Sequence, residues 1–410
     1  MSGLLPIDSA IDAVLAAVEP LPAGSVALLE ALGRATSAEI VSREQVPSFD
    51  NSAMDGYALR GDELSSGRRS FRVTVEIPAG RYVAEPVEPG AAAKIMTGAA
   101  LPPGVDTVVP VELTSQTGDE LTVREAVKPG ANVRRAGEDV AVGDVVLPRG
   151  ARLGPAEIGL LASVGVDPVP VARRPRVAIL ATGSELVPVG APVGPGQIRN
   201  SNSYTAYGQV LGAGAEPVLL GIARDDLGET RRLIAAALEH DVVLTSGGVS
   251  VGEFDFVKQV QEELGVERRF WGVATKPGKP LAFGVRGRTL VFGVPGNPVA
   301  AMVSFELYIR PALLALQGRR DVFRPYVVAV SAEPVERAKE RTEARRCRLE
   351  RRHGDWVFTT TGPQGSGILS SMALADGLAF VPAGYPGSEA GASFMVQSLD
   401  GSSEERPPYP

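Results

Sequence analysis

Five short stretches in the middle of this chain carry residues that could work on a phosphorylated anion. TGSELVPVG holds Glu185, ARDD holds Asp225 and Asp226, and TSGGVSVGEFD holds Ser246, Ser250 and Asp255. KPGKP adds Lys276 and Lys279, and VPGNP adds Asn297. Asp and Glu oxygens can hold magnesium, a hard cation that polarises a phosphoryl group and offsets charge developing during attack. Lysines bring mobile positive charge, and glycines let a ligand approach the backbone closely. The Gly247 and Gly248 amides could line a phosphate pocket. Simpler jobs exist for the same residues. Asp225 or Asp226 could cap a helix, Glu185 could face solvent, and KPGKP could be a stiff turn.

A second polar group lies nearer the start. PSFDNSAMDGYALR sets Asp50 and Asp55 around Asn51 and Ser52. KIMTGAALPPGVDTVVP contributes Thr97 and Gly98, and ANVRRAGEDV contributes Arg134, Arg135, Gly137, Glu138 and Asp139. Asn and Asp also favour turns, and the arginines could be ordinary surface charge.

Composition narrows the chemistry. There is one cysteine, Cys347, and there are two histidines, His240 and His353, in 410 residues. An intramolecular disulfide, a cysteine zinc site and a histidine-rich metal site are therefore excluded. Magnesium suits this inventory; zinc and copper do not. The net charge of -7 argues against nonspecific nucleic-acid binding, so any attraction for an anion must be local. No basic leader with an apolar run opens the sequence, and no apolar run reaches about 18 residues. A cytoplasmic protein without a membrane span is the expectation.

The elements that must position these residues fall into three parts. Helical spacing runs over 7–18, and 24–40 reads as a second short helix ending near Gly33. From about 71 to 150 the pattern is strand-like, broken by Gly and Pro. A helix starts at Pro155, and 166–175 reads as a proline-rich linker. The middle third alternates strands with helices: RVAILAT at 176–182, a helix over 203–214, a strand at 216–221 and a helix over 225–240. DVVLTS at 241–246, a helix over 253–265, TLVFGVPG at 289–296 and a helix over 297–318 complete it. That alternation predicts a parallel sheet covered on both faces, with ligands beyond the carboxyl ends of the strands. All five polar stretches would then gather along one edge. Residues 320–400 return to strands, and 403–410 reads as a disordered tail. The nucleotide-binding patterns GxxxxGK[ST] and GxGxxG after the first strand are absent.

In order and number, PSFDNSAMDGYALR, KIMTGAALPPGVDTVVP, RRAGEDV, ILATGSEL, IRNSNSY, TSGGVSVGEFDF, KPGKPLAFG and VFGVPGNPVAA resemble the molybdopterin molybdenumtransferase family, the bacterial MoeA proteins and the E domain of gephyrin. The resemblance implies a multidomain α/β plus β fold. Residues 1–170 would form a β-rich N-terminal region with a subdomain inserted at about 45–145. Residues 171–319 would form a three-layer α/β/α sheet domain like the molybdopterin adenylyltransferases, and 320–402 a small β-barrel. It implies magnesium-dependent cleavage of adenylylated molybdopterin, insertion of molybdate and release of AMP. It also implies an elongated homodimer, with active sites between the central domain of one subunit and the N-terminal region of the other. Transient contact with the adenylyltransferase and with apo-molybdoenzymes would follow.

Carried onto this chain, the resemblance puts Glu185, Asp225 and Asp255 near magnesium and phosphate. Asp55, Thr97 and Asp139 match motif positions of the active cleft. Lys276 and Lys279 match the basic pair near phosphate or molybdate, and Ser250 would hydrogen-bond ligand oxygens. The choice between Asp225 and Asp226 leans to Asp225. Three rival readings are the adenylyltransferase step, a tungstate-preferring paralogue and a scaffold protein.

Overall fold

The computed structural model describes residues 3–248 and 256–410. The chain divides into two compact units. One comprises residues 1–38, 149–154 and 169–410; the other comprises 39–148 and 155–168.

The larger unit is built on a six-stranded sheet. Its order is Glu216–Ala223, Arg176–Thr182, Val242–Ser246, Thr289–Val294, Ala282–Arg286 and Glu267–Trp271. The first four strands are parallel, as the alternation predicts. The last two are antiparallel additions that make the sheet mixed. The hairpin between them and the parallel set has a physical signature. Arg286 pairs with Thr289, which leaves a two-residue turn, and Gly287 sits there at φ +57°, the left-handed region such turns demand.

The apolar strand runs reflect burial on both faces. Val177 and Ile179 join one core cluster, with Val210, Leu313 and the N-terminal helix Ile7–Leu15. Their neighbours Ala178 and Leu180 join another, with Ile234 and Val260. This is the period of two expected of a strand. Helices Asn202–Gly212 and Pro298–Leu316 cover the first face, and Leu227–Ala237 and Phe256–Glu263 cover the second. Pro298–Leu316 is apolar enough to span a bilayer by composition, but it is 89% buried as the core helix of this face. Residues Phe305–Ile309 within it form a π-helical turn.

The C-terminal strands close on themselves. Thr342–Arg352 pairs with Asp355–Thr360 over one half of its length and with Gly377–Val381 over the other. Tyr326–Ser331 and Ser393–Ser398 complete the ring, so the barrel expected of this region is present. The 24–40 stretch departs from the helix expected there. Ala23–Val26 is a strand paired with Val169–Ala172, inside the stretch read as a linker, and only Leu28–Ala31 turns, as a 3-10 helix. The exposed Leu29 and Leu32 satisfied the helical count without forming a buried face. The terminal 403–410 stretch, expected to be disordered, makes defined contacts. Ser403 and Phe323 exchange backbone hydrogen bonds of 2.8 and 3.0 Å, and Tyr409 Oη donates to Gln397.

The smaller unit carries a six-stranded sheet in the order Thr107–Pro110, Gly56–Leu59, Ala91–Ile95, Ser70–Ile77, Glu120–Val123, Thr114–Thr117. Alternate residues again serve two clusters, Tyr57 and Leu59 on one face and Ala58 and Ile95 on the other.

Candidate active site at the carboxyl edge of the sheet

Register places the polar loops together. Ala181 lies opposite Ser246, Thr182 opposite Ala223, and Ser246 opposite Val294. The four parallel strands therefore end at one level. Glu185, Asp225, Gly247–Gly248 and Asn297 follow directly, as the parallel reading requires. KPGKP reaches the same edge by a different route. Glu267–Trp271 is antiparallel to a strand that is itself antiparallel to Thr289–Val294, so its carboxyl end points the same way. The turn then packs on the start of the long helix. A Cβ on Gly278 would lie 3.1 Å from Ser304 Oγ.

The two adjacent aspartates divide their work. Asp226 caps Leu227–Ala237, its Oδ1 accepting from Glu229 N at 2.7 Å. Asp225 instead joins the neighbouring loop. Its Oδ2 accepts from Ser184 N at 3.3 Å, and Ser184 Oγ accepts from Asp225 N at 3.1 Å. The exposed Glu185 follows in that loop, its carboxylate folded back over Gly183, where a Cβ would meet Oε2 at 2.3 Å. The backbone at Gly183 holds φ +141°, a conformation that favours glycine.

Gly247 and Gly248 hold consecutive left-handed conformations, at φ +89° and +66°. A Cβ on Gly247 would lie 2.7 Å from Thr182 O, and one on Gly248 would lie 2.5 Å from Val257 Cγ2. Gly247 N donates to Val294 O at 3.1 Å. Its amide thus extends the sheet, and the Gly248 amide makes no backbone hydrogen bond among the described residues. Ser250 and Asp255, the remaining candidates of this loop, lie outside the described residues.

The lysines differ as well. Lys276 Nζ is 2.8 Å from Glu343 Oε1, whereas Lys279 is exposed and makes no ion pair among the described residues. Asn297 is exposed at the start of the long helix, and its side chain makes no capping bond.

The second polar group forms in the smaller unit. Gly56 pairs with Ile95 in antiparallel register, which brings Asp55 beside Thr97 just beyond the strand ends. Thr97 donates to Asp55 Oδ1 from both Oγ1 and N, each at 2.7 Å. These bonds, the hydroxyl's first, hold the Asp55 carboxyl below its ordinary range. Gly137 N donates to Pro47 O and Asp139 N to Val46 O, so RRAGEDV folds onto PSFDN. Asp50 is occupied there by Ala136 N at 2.8 Å and Arg135 Nη1 at 2.6 Å. The Asp139 side chain is exposed.

Sequence reasoning missed three participants. Ser184 stood beside Glu185 in TGSEL and could have been found there. Asn202 lay in IRNSNSY without an assigned task. Glu343 carried no signal, because only the fold brings it to Lys276.

Among the described residues, no three acids, histidines or cysteines gather as a metal cluster. Magnesium asks for less, since it keeps several waters and binds through one or two carboxylates with substrate phosphates. Glu185 and Asp225, on loops joined by Ser184, fit that requirement as hard oxygen donors.

Another cavity, of about 640 Å³, is lined by Arg34, Arg173, Arg174 and Arg176 with Glu30 and Glu216. Arg176 and Glu216 begin their strands, so it lies at the opposite edge.

Comparison with known proteins decides the family. Residues 5–165 match the MoeA N-terminal region (domain I and II), 178–315 a probable molybdopterin binding domain, and 328–399 the MoeA C-terminal region (domain IV). The chain is 38% identical over 387 residues to molybdopterin molybdenumtransferase 2 of Mycobacterium tuberculosis, covering 92% of this chain and 95% of that one. The chain belongs to the MoeA family of molybdopterin molybdenumtransferases. The family member of Haemophilus influenzae is 40% identical over 84% of this chain and 86% of its own. The crystal structure of the molybdopterin biosynthesis MoeA protein from Pyrococcus horikoshii superposes with a TM-score of 0.83. It is 30% identical and covers 97% of this chain and 100% of that one.

Proposed function

We propose that this MoeA family member inserts molybdate into adenylylated molybdopterin and releases AMP, with magnesium as its metal ion. The observation that carries this reading is the single strand-end edge. It collects Glu185, Asp225, the Gly248 amide, Asn297 and the two lysines of KPGKP in a chain of this family.

Glu185 and Asp225 would hold the ion, which supplies charge neutralisation at the phosphoanhydride and so makes AMP a better leaving group. Lys279, which makes no ion pair among the described residues, offers its positive charge to molybdate, a dianion, despite the protein's negative total. Lys276, fixed by Glu343, offers a positioned one. Gly248 leaves room for a phosphate to approach the backbone. Asp55, Thr97 and Asp139 would serve the same reaction, as the family motifs they match imply. Within the sequence of the glycine loop, Ser250 and Asp255 would add a hydroxyl and a third carboxylate.

We further propose a cytoplasmic homodimer. Tyr204, Tyr207 and Leu211 stand exposed on one stripe of Asn202–Gly212. An apolar helical stripe of that kind supports a second copy as its cover. Light scattering on the purified chain checks the assembly.

The activity is tested by AMP release from purified adenylylated molybdopterin, omitting molybdate and magnesium in turn. Active cofactor is scored by reconstituting an apo-molybdoenzyme. Release coupled to cofactor formation and dependent on both ions supports insertion. ATP consumption with free molybdopterin instead would indicate the adenylyltransferase step.

A further inference from the structure

Asn202 begins the Asn202–Gly212 helix, and its side chain is buried. Its Nδ2 donates to Ser246 Oγ at 2.7 Å and to Gly296 O at 2.8 Å. Ser246 ends the Val242–Ser246 strand, directly before Gly247 and Gly248. Gly296 stands in the loop after Thr289–Val294, directly before Asn297. These strands are neighbours, with Ser246 opposite Val294. One amide nitrogen therefore fastens both loops at the point where they leave the sheet.

Residue chemistry explains the choice. An asparagine nitrogen has two protons to give; an aspartate of the same shape has none, and a serine has one. The other end of the amide is anomalous. Asn202 Oδ1 is buried and finds no donor among the described residues. A buried acceptor without a partner costs stability. Local violations of this kind are common at functional sites. A cavity of about 10 Å³, too small to hold more than one water, is bordered by Asn202, Ser246 and Gln209.

We infer that Asn202 is a positioning residue that sets the spacing between the Gly247–Gly248 turn and the Gly296–Asn297 loop. It touches no substrate and acts through Ser246 and Gly296. The inference rests on the reading of this edge as the site of AMP release.

The test compares Asn202→Asp with Val210→Ala in the full-length protein. Asn202→Asp keeps shape and loses both donated protons. Val210 is fully buried on the same helix, so Val210→Ala loosens the core without touching either loop. Expected for Asn202→Asp is a kcat for AMP release at least about tenfold lower, with KM within about twofold. Amide hydrogen exchange should quicken at 246–248 and at 296 and 297. Val210→Ala should lower Tm and retain kcat and the loop protection. Unchanged loop exchange in Asn202→Asp overturns the inference, as does an equal loss of kcat in Val210→Ala. Should Asn202→Asp not fold, Ser246→Ala removes one of the two bonds, and unchanged loop exchange there has the same meaning. Wild-type protein that releases no AMP would sink the activity reading alone, because the exchange comparison still judges Asn202.

Discussion

Lys276 Nζ donates to Glu343 Oε1 across 2.8 Å although the residues are 67 positions apart in the chain. The contact follows from a short parallel ladder in which Thr275 lies opposite Thr342 and Lys276 opposite Glu343. Arg345 donates to the other carboxylate oxygen at 2.9 Å. Burial pushes the Glu343 carboxyl up, but the hydrogen bonds from Lys276 and Arg345 outweigh it, and the group is held below the usual range.

The sign of the resulting pH dependence is fixed. A carboxyl lowered in the folded state contributes stability that is present above its unfolded pKa. That contribution is lost as pH falls through the folded value. Glu343→Gln should therefore cost about 2 kcal/mol at neutral pH, the scale of hydrogen bonds to charged groups. It should also flatten the acid side of the stability profile. Denaturant unfolding at neutral and acid pH measures both, and a parallel shift at every pH would contradict the account.

Asp225 and Asp226 should separate cleanly. Asp226→Ala removes a helix cap and should cost about 1 kcal/mol, with turnover retained. Asp225→Ala should leave the melting temperature near wild type and impair turnover at limiting magnesium. Unchanged turnover there would refute a ligand role for Asp225.

Much of this edge could be read before the fold was known, because strand runs buried on both faces are continuous and apolar. RVAILAT and DVVLTS announce themselves, and the loops after them follow by topology. What escaped notice was of two kinds. The strands Glu267–Trp271 and Ala282–Arg286 had no place in the expected alternation, although Gly287 is the signal of the hairpin joining the second of them to Thr289–Val294. Glu343 sits among arginines in a barrel strand, where local pattern says nothing about a partner on a strand 67 positions earlier. Between Asp225 and Asp226 the sequence left open which one caps the helix, and the geometry gives that task to Asp226.

Glycine requirements give a graded test. Gly248→Ala would drive a Cβ into Val257 at a positive φ, and Gly247→Ala would drive one into backbone. Both should destabilise by more than about 1 kcal/mol, the second more severely. Gly190→Ala, with nothing within 4 Å, should be nearly neutral. Thermal melts rank the three, and an equal effect at all of them would deny any special shape to the Gly247–Gly248 turn.

Thr97 should control the ionisation of Asp55. Thr97→Ala deletes the hydroxyl donor, so the carboxyl should titrate at higher pH, and Thr97→Ser should restore it. NMR of the labelled carboxyl reads the midpoint directly. If Asp55 serves turnover as a carboxylate, the acid limb of the rate profile moves upward in step.

Cys347 is fully buried in the barrel, and burial raises its thiol pKa to about 12. Thiolate is the reactive form. Alkylating reagents should therefore modify the protein only on unfolding, and modification of the folded chain at neutral pH would show that the barrel opens.

The closed ring to which Cys347 belongs bears on handling the protein in quantity. Its strands have neighbours on both sides, the shortest seam being two pairs at Val330 and Ser331, so they offer less open ladder on which another chain could template itself. The central sheet lacks that protection. It ends at Glu216–Ala223, whose pairing in the sheet is with Arg176–Thr182 alone. Pro217 there has no amide proton to extend a foreign strand, but Leu219 stands exposed on the same strand. The border most open to a foreign strand therefore lies in the middle of the chain and not in the C-terminal barrel.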